Sequence, residues 1–242
     1  MIAFSGARQI ERSIVRVDYV TDEHAARKLL PEPLELPLIP RASVFFTQFF
    51  QSHGDIPLLE VSQSIEAISP DGSVGDYIQS VYTDNVASII HNRDAYIQPI
   101  LYGVGSLTHR DGATNFSLTV GQTVVVRGSA GYRSEPMLDQ DAVEFLQRPK
   151  FYLKVLGRPA LGEPAKPTLF KLRNSNVDVS EAYVDVSEAY VDVSEAYKVP
   201  ATLTLDGHIM APFDQLPVLH IDSCHTFATT WSLGELEVIH RY

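Results

Sequence analysis

The chain has one cysteine, Cys224, so no intramolecular disulfide can brace it. A lone thiol suits a reducing compartment. Positive charge is scarce: 19 Lys and Arg stand against 30 Asp and Glu, giving a formal net charge of −11 and a pI near 5.1. With no basic face to meet a phosphate backbone, nucleic acid is not an expected partner. Nor does any segment reach the ~18 to 20 consecutive apolar residues of a membrane span. The first residues, MIAFSGARQIER, have neither the basic region nor the apolar run of a leader, so a cytoplasmic location is expected.

Several catalytic and cofactor signatures are missing as well. The eight histidines are scattered, and His220 and His225 lie outside the usual ligand spacings, so no metal is expected. Gly103-Val104-Gly105 lacks the third glycine of a dinucleotide fingerprint and reads as a loop. No Gly-x-Ser-x-Gly or phosphate-loop motif occurs. Cys224-His225 is no dyad, because adjacent residues on a strand point to opposite faces. No cofactor is expected.

What remains is dominated by short alternating apolar runs. Residues 13–20, 43–50, 58–68, 77–82, 116–127 and 201–205 read as strands. Pro70-Asp71-Gly72 predicts a hairpin within 58–82, and Arg110-Asp111-Gly112 a second turn. Helical patterning is sparse. Residues 21–30 form one expected helix, capped by Thr21 or Asp22 and ended by Pro31; residues 139–147 form another, capped by Asp139 and stopped by Pro149. Many strands without βαβ alternation indicate an antiparallel barrel or sandwich, with residues 1–242 as a single domain.

Residues 177–197 are three perfect tandem copies of VDVSEAY. A coiled coil would place Val and Ser at its a and d positions, and one long strand would flip its valines at every copy. The period is also too short for a solenoid. A recent duplication is the expected origin, with no function attached.

The segment GDYIQSVYTDNVASIIHNRDAYIQPILYGVGSL, from Gly75 to Leu107, resembles the signature region of the acetoacetate decarboxylase family. Further blocks follow the family's order: YVTDEHAARKLLPEPLEL, RPKFYLKVL, HIMAPFDQLPV and LEVIHRY. The resemblance runs from about Arg12 to the C-terminus. It implies a mostly β (α+β) fold, a cone-shaped, largely antiparallel β-barrel with few flanking helices. It leaves room for one VDVSEAY copy, and it also implies a homo-oligomer.

The resemblance carries site residues only in part. The family's substrate-binding arginine falls on Arg12, and its two pocket glutamates fall on Phe45 and Glu60. Gln63 also matches, and the signature's arginine–acid pair is Arg93-Asp94. The family's Schiff-base lysine falls on Ile100, and a frequent second lysine on Leu101. No lysine occurs between Lys28 and Lys150. Isoleucine has no amine with which to form an imine. The expected site is therefore Glu60 and Arg12 as catalytic groups, with Phe45, Gln63, Ile100, Leu101, Arg93 and Tyr96 against the substrate.

Glu60 among Phe45, Ile100 and Leu101 would be poorly solvated, which raises its pKa and suits it to proton transfer. Arg12 could hold a carboxylate, enolate or ketone oxygen. The expected function is a lysine-independent small-molecule enzyme of specialised, polyketide-like metabolism. It would carry out cyclisation, dehydration, isomerisation or hydrolysis on a β-keto or polyketide-like substrate. The alternatives are a β-keto acid decarboxylase without a Schiff base and a non-catalytic barrel for apolar ligands.

Overall fold

The computed structural model describes residues 10–50, 57–95, 97–133, 135–155, 166–172, 191–231 and 236–242. The chain begins with β1 (Ile10–Val20), helix α1 (Glu23–Leu29), β2 (Arg41–Phe49), β3 (Leu58–Ile68) and β4 (Val74–Thr83). Helix α2 (Val86–Ala95) precedes β5 (Ile100–Tyr102), β6 (Val104–Arg110), β7 (Ala113–Val120), β8 (Thr123–Ala130) and β9 (Glu135–Pro136). Helix α3 (Asp139–Leu146) leads into β10 (Lys150–Val155), β11 (Pro167–Leu172), β12 (Val191–Lys198) and β13 (Ala201–Leu205). A short pair, β14 (Gly207–His208) and β15 (Ala211–Pro212), comes before β16 (His220–Trp231) and β17 (Leu236–Arg241). None of the described helices is long and apolar enough to cross a membrane.

The mostly β expectation holds, but the closed barrel does not. Among the described residues the large sheet runs β17-β11-β10-β4-β3-β2-β1-β16-β12-β9, with β5 beside β4, and has two free ends. A separate four-stranded sheet runs β13-β8-β7-β6. Most pairs are antiparallel, while β10 with β4 and β4 with β5 are parallel. The large sheet still curls. Leu172 of β11 and Ala196 of β12, near its opposite ends, join one apolar cluster with Ile14, Phe45 and Phe227. Twist accumulated over many strands bends a sheet this way without sealing its edges.

Local sequence explains most elements. Asp22 caps α1 by accepting from the Ala25 amide at 2.8 Å, with Glu23 in the first turn and Arg27 and Lys28 in the last. In α3 the cap position is Leu138 and Asp139 is the first helical residue, one place later in role than expected. The run 116–127 is two strands, because Gly121 at φ 62° turns the chain between β7 and β8. Val104 and Gly105, expected in a loop, lie in β6. The third VDVSEAY copy, residues 191–197, forms most of β12 and pairs with β16; the first two copies lie outside the described residues.

The two faces of the large sheet are both buried and chemically opposite. Val15, Val17, Tyr19, Val44, Phe46, Val61 and Ile65 point one way. The small sheet covers them with Phe116, Leu118 and Val126, and the rings of Phe46 and Phe116 are 5.0 Å apart. Their alternating neighbours, Arg12, Ile14, Arg16, Asp18, Phe45 and Glu60, point the other way, into the curl of the sheet. Helix α3 closes over that side through Ala142, Phe145 and Leu146. This inner face gathers buried charged groups, Arg12, Arg16, Asp18 and Glu60 among them.

Candidate functional site

The β1–β2–β3 register places Arg16 opposite Phe45, Phe45 opposite Ser62, and Thr47 opposite Glu60. Two groups of charges result. The first centres on Arg16, whose Nη1 and Nη2 donate to the two carboxylate oxygens of Asp76 at 2.6 and 2.8 Å. Its Nε donates to Asp18 at 2.8 Å, and Nη2 also donates to Ser43 at 2.9 Å. The guanidinium stacks over Phe145 at 4.8 Å. Burial alone would pull the Arg16 pKa down, but the Asp18 and Asp76 carboxylates outweigh it and push it above its ordinary value. Burial likewise opposes ionisation of Asp18, yet the Arg16 charge and the hydrogen bond from Ser43 hold that carboxyl well below the usual range, with His225 Nδ1 3.6 Å away. All three Arg16 nitrogens find an acceptor.

The second group comprises Arg12, Glu60 and Lys150. Glu60 is only 8% exposed and accepts a hydrogen bond from Asn92 Nδ2 of α2 at 2.9 Å. Burial raises its pKa to about 7, against the lowering influence of Lys150, Asn92 and Arg12. Burial also lowers the Arg12 guanidinium from its ordinary value, with Glu60 opposing; it remains a cation at neutral pH. Lys150 is lowered to about 8 by burial and by the Arg12 charge, with Asp76 and Glu60 opposing. Here desolvation wins over pairing.

Lys150 was not singled out in the sequence. It reaches this face because β10 begins parallel to β4, with Lys150 beside Asp76. Gly75 permits that approach: a Cβ there would sit 2.3 Å from the Pro149 carbonyl oxygen. The Asp76 amide then donates to the same oxygen at 2.9 Å. Tyr152, two residues on, shares the inner face.

Two cavities open between these groups and α3. The inner one, ≈ 30 Å³, is lined by Arg12, Phe45, Thr47, Asp76, Lys150 and Phe227 among others. The outer, ≈ 270 Å³, is bounded by Arg41, Glu66, Asp222 and Ser223. Arg16, Phe145 and Arg148 wall both. The inner space holds about two waters or the small end of a ligand.

The expected site residues divide. Arg12 and Phe45 line the inner cavity. Glu60 lies behind its wall, across the register from cavity-lining Thr47. Ile100, 1% exposed, packs with Ile14, Phe45 and Tyr152 on the same side, also behind the wall. Gln63 does not belong: it faces the opposite core and donates to the Tyr19 hydroxyl and the Phe213 carbonyl, each at 3.1 Å. Leu101 packs against that same opposite core. Arg93 is committed to the main chain, donating to the Ile100 carbonyl at 2.7 Å and so tying α2 to β5. Tyr96 lies outside the described residues. No group of three or more His, Cys, Asp or Glu among the described residues could hold a metal.

This architecture has clear relatives. A family model described as acetoacetate decarboxylase matches residues 2–242. The acetoacetate decarboxylase of Clostridium beijerinckii is 30% identical over 236 residues, covering 96% of this chain and 87% of that protein. A solved acetoacetate decarboxylase structure superposes with a TM-score of 0.85 at 28% identity, covering 98% of this chain and 91% of the other. The enduracididine biosynthesis enzyme MppR, solved with a condensation product of pyruvate and imidazole 4-carboxaldehyde, shares the fold. Its TM-score is 0.72 at 18% identity, over 96% of this chain and 88% of its own. This chain belongs to the acetoacetate decarboxylase family.

Proposed function

We propose that this protein is a lyase-type enzyme acting on a short oxo acid, and that it works without an amine at position 100, where Ile100 takes the place of the family's lysine. Residues 1–242 form one domain for this purpose. Arg12 binds the substrate's carboxylate or carbonyl oxygen through paired hydrogen bonds. Glu60 moves the proton, in the dehydration, isomerisation or related step that such acids undergo through their enols. The observation that carries this reading is the Glu60 carboxyl, buried beside Arg12 and raised to about 7, where it can both give and take a proton.

The cavity favours a small substrate over a polyketide-like one. The ≈ 30 Å³ inner space admits a carbonyl or carboxyl end, and the outer space, lined by three arginines and three carboxylates, suits a polar group better than an apolar chain. A carrier of bulky apolar ligands fits poorly for the same reason. A second reading, decarboxylation with an electrostatically held enolate, is favoured by Arg12 and Lys150, two of the four cations at the inner wall.

Screening of short 2-oxo and 3-oxo acids by NMR tests the proposal. Turnover of at least one is expected, falling at least ~10²-fold in Glu60→Gln with binding nearly intact. Arg12→Ala should weaken binding as well. Wild-type rates in both variants would remove these residues from the site.

A further inference from the structure

The geometry points to Lys150 as the covalent amine of this site, attacking the carbonyl carbon of the oxo acid held by Arg12. The inference rests on the oxo-acid reading above and adds the residue that bonds to the substrate.

Lys150 differs from the other lysines near the sheet. Lys171 is anchored by Asp71 at 2.6 Å and by Ser73. Lys154 donates to the Arg93 carbonyl. The Lys150 ammonium makes no hydrogen bond and no ion pair within 4 Å among the described residues; it lies 5.4 Å from the centre of the Phe45 ring and lines the inner cavity. The charges acting on it come from three strands: Arg12 and Arg16 on β1, Glu60 on β3 and Asp76 on β4. The two carboxylates are drawn elsewhere, Asp76 by Arg16 and Glu60 by Asn92, so neither clamps the amine. An amine with no fixed partner, in a partly dry wall beside a guanidinium, has its free-base form within reach at neutral pH.

The step balances without any further reagent. The Lys150 nitrogen adds to the substrate carbonyl, forming a C–N bond and a carbinolamine. The departing hydroxyl takes a proton that originates on protonated Glu60, passed on by a water in the inner cavity because Glu60 does not line it, and leaves as water; the protonated imine remains. The imine draws electrons from the adjacent carbon, so a proton or a carboxyl group there leaves more easily. The resulting enamine takes a proton at that carbon, which restores the protonated imine; water addition then reverses the first steps and frees the lysine. Arg12 holds the acid end while this happens.

The test is borohydride trapping with pyruvate and, separately, acetoacetate, followed by peptide mass spectrometry on the full-length protein. One reduced adduct per chain is expected, mapping to Lys150, with its rate of formation rising as pH passes through about 8. Lys150→Met and Lys150→Arg should form none, and their kcat/KM should fall at least ~10²-fold while circular dichroism stays wild-type. Either of two results would overturn the inference: no adduct with either acid, or an adduct on another lysine. So would wild-type turnover by Lys150→Met. If oxo acids are turned over in a Glu60-dependent way by Lys150→Met, the proposed function stands and only the covalent role fails. If no oxo acid binds or reacts, both fall.

Discussion

Arg16 and Lys150 line the same cavity and yet are in opposite electrostatic states. Arg16 is gripped by two carboxylates and a hydroxyl, and its pairing exceeds the cost of its burial. Around Lys150, Glu60 and Arg12 desolvation outweighs pairing, and each of these groups is shifted toward its neutral form. A buried charge with full partners holds strands together and does little else. A buried charge whose desolvation outweighs its pairing keeps proton exchange and bond formation accessible. The two electrostatic regimes occupy neighbouring patches of one sheet face.

The sharpest way to break the contrast is to unpair the satisfied side. Arg16→Ala leaves Asp18 and Asp76 buried without their cation, and loss of one member of a buried pair costs about 3–5 kcal/mol. Urea unfolding at pH 7 should show that loss. Lys150→Met should show no comparable loss, since it removes a cation that burial already disfavours.

Glu60→Gln sharpens the contrast through pH. The folded-state pKa of Glu60 is raised from 4.5 to about 7, so its protonated form adds stability that is full below 4.5 and vanishes as pH rises through 7. Wild type and Glu60→Gln should therefore be similarly stable at pH 4. At pH 8 the variant should be more stable by up to about 3 kcal/mol, the equivalent of the shift. A variant less stable at pH 8 would mean that ionised Glu60 is well paired after all.

Gly75→Ala tests how the lysine is delivered. The added methyl meets the Pro149 carbonyl, so β10 must move away from β4, at a cost of about 1–3 kcal/mol. Trapping at Lys150 should weaken with it, while Arg16 keeps Asp18 on β1, Ser43 on β2 and Asp76 on β4. The smallest effect is expected from deleting residues 184–197. One VDVSEAY copy remains to fill the β12 seat against β16, and the melting temperature should change by only a few degrees.

Strand positions and the burial of Arg12, Phe45, Glu60 and Ile100 were legible in the sequence, since they follow from alternation and from the family's motif order. Gln63 and Leu101 show where motif transfer fails: Gln63 is three residues from Glu60 and Leu101 one from Ile100. Odd spacings on a strand put side chains on opposite faces, and both residues do face the opposite core. Helix α2 escaped notice because VASIIHNRDA has little one-sided apolar pattern; Asn92 and Arg93 tie it down by hydrogen bonds to Glu60 and Ile100 instead. Lys150 was hidden for another reason. Its place depends on a parallel pairing between strands distant in sequence, which no local pattern announces. The curl of the sheet was foreseeable and its open edges were not, because closure depends on pairing between the two end strands.

The ionisation of Glu60 tests the contrast most directly. Carbon-13 labelling of the glutamate side chains, with Glu60→Gln to assign the resonance, allows the carboxyl to be titrated by NMR. A midpoint near 7, with the downward pull of Lys150, Asn92 and Arg12 already included, is the predicted result. A midpoint at or below 4.5 would mean that Glu60 is as fully paired as Asp18, and the distinction between the two patches would be lost.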